Sequence, residues 1–71
     1  MAHSTVWTQV YDEDDQAWDV NVECTIFDRE VVDWKVTYVE TGCPLAQSEI
    51  DNIVESNIDT IEASALESYH G

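Results

Sequence analysis

Basic side chains are nearly missing from this chain. Its 71 residues include two, Arg29 and Lys35, against sixteen Asp and Glu, for a formal net charge of −14. That shortage excludes direct binding to a nucleic-acid backbone, which needs a basic footprint. It excludes attraction to an anionic membrane on the same ground. No run approaches the ~20 apolar residues of a membrane-spanning helix, and Met1-Ala2-His3-Ser4 begins neither a basic nor an apolar leader segment. Two cysteines, Cys24 and Cys43, are too few for a disulfide framework or a zinc set. A reduced, cytoplasmic protein is expected, with Cys24 acting as a small buried hydrophobe; the alternative is a Cys24–Cys43 disulfide. The two histidines, His3 and His70, stand near the ends of the chain with no nucleophile beside them. Cys43 has no base placed next to it in sequence. Neither enzyme activity nor a cofactor is expected.

What is present is a core. Apolar residues make up 44% of the chain, enough for a globular fold and too many for a disordered acidic tail. Residues 1–71 read as one small domain. Its charge lies far beyond the roughly 2–8 units that keep a small domain soluble, and such self-repulsion works against the compact state. A basic partner, bound cations or a salty cytoplasm would offset it.

Period-two alternation organises the first forty residues. Residues 17–28 place Trp18, Val20, Val22, Cys24 and Ile26 on one face, with Asp19, Asn21, Glu23 and Thr25 on the other, which predicts a central strand. Residues 5–11 read as a first strand, with Tyr11 opposite Ala17, Val10 opposite Trp18, Thr8 opposite Val20 and Val6 opposite Val22. Residues 31–40 read as a third, with Val32, Trp34, Val36 and Tyr38 inward. Pairing Phe27 with Val31 sets Ile26 opposite Val32, Cys24 opposite Trp34 and Val20 opposite Tyr38. It also sets Glu23 opposite Lys35, an opposite-charge pair worth roughly 0.2–1 kcal/mol. The implied loop has three residues, with Glu30 where glycine is usual, so a longer loop with a bulge is the alternative. Gly42 and Pro44 end the sheet. Ser48 and Asp51 resemble a capping box, and Ile50, Ile53, Val54, Ile58, Ile61 and Ala65 lie within about 140° of arc on a helix. One helix is expected over 47–68, with a break near Asn57 as the alternative. The fold class is α+β: a three-stranded antiparallel β-meander with one C-terminal helix across one face.

Three groups of residues are candidate sites. Asp51, Glu55, Asp59 and Glu62 fall within about 80° on the helix, a row of carboxylates with no basic residue between them. Like charges at such spacing weaken a helix by a few tenths of a kcal/mol per pair. Asp12, Glu13, Asp14 and Asp15 form an acidic hairpin tip. They lack the D-x-D-x-D-G spacing and the distal glutamate of a calcium loop, so no metal site is expected. Third, Trp7, Tyr11, Phe27, Val31 and Val39 point away from the helix among Asp19, Glu23 and Asp33. That aromatic and acidic sheet face suits a basic partner or a homodimer.

In size, acidity and arrangement, with a few strands and one acidic helix, the chain resembles small phage-encoded inhibitors of the DNA-mimic type, among anti-CRISPR and anti-restriction proteins. The resemblance implies a non-enzymatic inhibitor whose Asp51, Glu55, Asp59 and Glu62, with Asp12 to Asp15 as a second patch, occupy the phosphate-binding surface of a basic nucleic-acid-binding protein. Two other readings remain: a small structural or assembly protein that uses its aromatic sheet face, and an ordinary domain of a salt-loving cell.

Overall fold

A computed structural model describes residues 2–69. Three strands, β1 (Ala2–Tyr11), β2 (Ala17–Phe27) and β3 (Glu30–Val39), precede two helices, α1 (Gln47–Ser56) and α2 (Ile58–Ser68). The strands form one antiparallel sheet in the order β1-β2-β3. The α+β meander expected from the alternation is therefore the fold, with β2 at its centre. β1 begins three residues earlier than the alternation predicts.

Every expected β1–β2 pair is present, from Val6 opposite Val22 to Tyr11 opposite Ala17. The β2–β3 register is as expected at its centre, where Val22 meets Val36, Glu23 meets Lys35 and Cys24 meets Trp34. It slips by one residue at both ends. Ile26 pairs with Val31 and Val20 with Val39, and the ladder shifts between Asn21 and Val22 and between Thr25 and Ile26. Each shift leaves one β3 residue, Val32 or Thr37, without an opposite number, as a β-bulge does. Four side-chain orientations are corrected as a result. Val31 and Val39 turn inward and pack against the core, while Val32 and Tyr38, read as inward, are exposed. Thr37 Oγ1 donates to Asn21 Oδ1 at 2.9 Å across the upper bulge.

The β2–β3 connection has two residues, Asp28 and Arg29, rather than three. Both have positive φ, 54° and 66°, as a type I′ turn requires. Asp28 tolerates this region as Asn does, but Arg29 stands where glycine is usual, and left-handed backbone costs such a residue about 1–2 kcal/mol. The charge-neutral pair of changes Asp28→Asn and Arg29→Gly should therefore stabilise the domain by about 1 kcal/mol. Thermal unfolding should show a melting temperature about 4–8 °C higher.

The two helices cover the face of the sheet that carries Val10, Val20, Val22 and Cys24. Those residues and Ile50, Val54, Ile61 and Ala65 form one buried cluster. Each fully buried aliphatic side chain contributes about 1.5–3 kcal/mol, which makes this cluster the main source of stability. Instead of one helix there are two, broken at Asn57. Its backbone N–H donates to Val54 at 3.0 Å, and its Nδ2 donates to the Ile53 carbonyl at 2.9 Å. The side chain thus takes a carbonyl of the preceding turn, and the ladder restarts at Ile58. Ala46, not Ser48, caps α1, and it makes no side-chain capping bond. Gly42 lies in the left-handed region at φ 95° and turns the chain from β3 toward α1.

Candidate functional site

Charge is unevenly distributed over this fold, and helix geometry explains the pattern. On α1, Ile50 and Val54 point into the core. Asp51 follows Ile50 by about 100°, whereas Ile53 precedes it by about 60°, so the two lie on opposite flanks. On α2, Glu62 stands about 100° beyond the buried Ile61, and Thr60 stands as far on the other side. Asn57, Thr60 and Ile53 border β1. Glu62 and Leu66 instead border Glu30 and Val31 of β3, around a shallow hollow of about 260 Å³. Asp51, Glu55 and Glu62 therefore lie on the flank away from β1, whereas Glu49, one turn before Ile53, and Glu67, two turns after Thr60, are exposed on the β1 flank.

The break at Asn57 divides the expected row into two pairs, Asp51 with Glu55 on α1 and Asp59 with Glu62 on α2. Glu55 and Asp59 are exposed; Asp51 and Glu62 are half-buried. Gln47 Nε2 donates to Asp51 at 2.9 Å. Among the described residues, Lys35 pairs with Glu23, and His3 Nδ1 lies 3.9 Å from the same carboxylate, so no basic group neutralises the helix acids. Glu30 joins them at Glu62. The alternation assigned Glu30 to a loop; a two-residue turn would have placed it on β3, opposite Phe27.

The acidic hairpin tip has a different character. Asp12 is a structural residue: its Oδ1 accepts the N–H groups of Asp14 at 2.8 Å and Gln16 at 3.0 Å. Its Oδ2 accepts Trp18 Nε1–H at 3.0 Å. These bonds hold the Asp12 carboxyl below the ordinary aspartate range, the Trp18 bond contributing most. Glu13, Asp14 and Asp15 remain exposed. Because the Asp12 pKa is depressed by folding, its stabilisation is complete above the unfolded value of about 3.8. It is lost as pH falls through the lower, folded value. Asp12→Ala should destabilise the domain at neutral pH more than Asp14→Ala and flatten the acid limb of a stability–pH curve.

On the outer sheet face, Trp7, Tyr11 and Phe27 are 66%, 55% and 59% exposed. Tyr38 joins them through the upper bulge, its ring edge-on to Trp7 with centroids 5.6 Å apart. Asn21, between them in the ladder, is buried. The acids of this face are each engaged locally. Asp19 accepts Gln9 Nε2–H at 3.1 Å, and Asp33 accepts the Trp34 N–H at 2.9 Å. Glu23 lies 3.6 Å from Lys35 Nζ and 3.9 Å from His3 Nδ1, which makes the expected Glu23–Lys35 pair real. The face is thus more aromatic than the sequence implies, and among its acids Glu23 has a cationic neighbour in Lys35.

Cys24 and Cys43 are free thiols. Burial pushes the Cys24 thiol up, and the charge of Glu62 adds to the effect, so Cys24 is a core residue rather than a nucleophile. His70 lies outside the described residues. No described helix is long and apolar enough to cross a membrane.

A groove of about 630 Å³ runs between β1 and the helices. β1 supplies Trp7, Thr8, Gln9 and Tyr11, and the helices supply Ile53, Asn57, Thr60 and Ile61. None of these residues carries a charge. No protein family, curated protein or solved structure matches this chain.

Proposed function

We propose that this chain is a non-enzymatic acidic inhibitor, phage-encoded and active in the host cytoplasm, that occupies the basic nucleic-acid-binding surface of a host protein. Anti-CRISPR or anti-restriction activity by DNA mimicry is the role such a surface would serve. The observation that carries this reading is the helix flank: Glu55, Asp59 and Glu62, with Glu30 beside them, form an acidic surface that no described basic group neutralises. Glu13, Asp14 and Asp15 offer a second patch.

The mechanism is competition. A protein that binds DNA holds several Lys and Arg against phosphates and draws affinity from released counterions. A folded array of carboxylates enters the same positive field, and association is steered over long range. The complex should weaken steeply as salt rises, because exposed charges separated by more than about 10 Å are screened at 0.1 M ionic strength. Titration calorimetry with the target across a salt series tests this; an affinity indifferent to salt would remove the carboxylates from the mechanism.

A second reading, assembly through the outer sheet face, draws on the exposed Trp7–Tyr38 pair. It expects Trp7→Ala and Phe27→Ala to disturb partner binding more than charge reversals on the helices.

A further inference from the structure

The two edges of the sheet are built differently. β3 is guarded in the ways natural edge strands usually are: two register shifts interrupt it, and Glu30, Asp33 and Lys35 lie along it. β1 has none of these devices. Its ten residues, AHSTVWTQVY, contain no Asp, Glu, Lys, Arg or Pro, and its ladder with β2 runs through ten pairs without a shift. Roughly half of its backbone N–H and C=O groups point away from β2, as on any edge strand of an antiparallel sheet. Beside that edge lies the uncharged groove bounded by Trp7 and Tyr11 on one side and Ile53 and Thr60 on the other.

We propose that β1 pairs antiparallel with β1 of a second copy, giving a two-fold dimer with a continuous six-stranded sheet. The occupant follows from charge. Two chains of −14 each repel wherever their acids face one another, and β1 with the lining of its groove carries no Asp, Glu, Lys or Arg; the helix acids on that flank, Glu49 and Glu67, stand outside the lining. Glu62 lies beside Glu30 and Val31 of β3, and Asp51 and Glu55 are turned away from Ile53, the α1 residue at the groove, so these acids face away from the seam. A two-fold axis makes such a contact self-complementary, with both helix layers on the same face and both grooves at the seam. A basic partner has no counter-charge to meet on this edge, whereas an identical neutral strand matches it. Stacking through the outer sheet face would bring Asp19, Glu23 and Asp33 of the two copies together. This inference does not depend on the inhibitor reading.

The test is sedimentation velocity over a concentration and salt series, with Thr5→Glu/Gln9→Glu and Phe27→Ala as variants. Both positions are exposed on β1 and away from the core and the helix flank, but they face Glu23 and Asp19 across the ladder, so a melting curve must show the variant folded before its association is read. The parent should sediment at twice the 8.1 kDa chain mass at high concentration. Its dimer should tighten with added salt, opposite to the behaviour expected of an acid-mediated complex. The double glutamate variant should stay monomeric over at least a tenfold wider concentration range, and Phe27→Ala should dimerise like the parent. Hydrogen exchange on the unmodified protein gives an independent readout: β1 amides should gain protection with concentration while β3 amides do not. A parent that stays monomeric throughout, a dimer that survives the glutamates, or protection gained on β3 would overturn the proposal. Loss of target binding in the helix-flank variants with the dimer intact would bear on the inhibitor reading alone.

Discussion

Glu55→Lys should make the domain more stable and, under the proposed function, the basic target a weaker partner. Residue 55 lies in the last turn of α1, which has no basic group, and a cation there complements the carbonyl end of the helix. It also exchanges repulsion from Asp51, one turn earlier, for attraction. Together these changes should add about 0.5–1 kcal/mol, read as a higher denaturant midpoint. Asp59 is different. It lies in the first turn of α2, where a carboxylate is favourable, so adding Asp59→Lys should return about 0.3–1 kcal/mol. The double variant should therefore be about as stable as the parent, yet bind its target at least ~100-fold less tightly, a loss of about 3 kcal/mol. Unchanged stability with lost binding separates a surface kept for recognition from one kept for folding. A doubly reversed protein that still binds and blocks the target would remove the mimicry reading.

Ile61→Ala should have the largest effect on the fold. Ile61 is buried in α2 and belongs to the cluster that joins the helices to the sheet. Such truncations cost about 2–4 kcal/mol. A chain of this length holds roughly 4–10 kcal/mol in all, so the variant should melt roughly 10–25 °C lower. Ile58→Ala, at a half-buried position, should cost much less. If the two substitutions cost the same, Ile58 is as buried as Ile61, contrary to the packing described. The same melting assay addresses the salt-loving alternative. A protein whose acidity serves a partner folds in dilute buffer, whereas one adapted to a salty cytoplasm requires molar salt.

The strands were legible because alternation is a property of side-chain direction, and one buried face enforces it. The β1–β2 register followed from the apolar rows alone. The ends of the β2–β3 register did not. Val31 and Val32 suit the core equally well, and Tyr38 and Val39 nearly so, so a one-residue bulge leaves the pattern looking satisfied either way. The turn was obscured for a related reason, since Asp28-Arg29 lacks the glycine that usually follows Asp in a type I′ turn. The helix break was legible only as an alternative: Asn57 lies near the apolar stripe, and its local bond to the Ile53 carbonyl decides the matter. The acids on α1 and α2 could be placed by periodicity. That Asp12 serves its own loop, and that Asp19, Glu23 and Asp33 are engaged within the sheet, depends on contacts across strands and turns that spacing does not contain.

Under the proposed function, the acidic helix flank competes with DNA for a basic surface. The most direct test of that competition is displacement: proteins captured by the immobilised chain from a host lysate at low salt are challenged with short duplex DNA and identified by mass spectrometry. DNA-binding proteins should be captured by the parent, be released by the duplex, and fail to bind Glu55→Lys/Asp59→Lys. Partners that resist the duplex, or that bind the reversed protein equally well, would contradict the account.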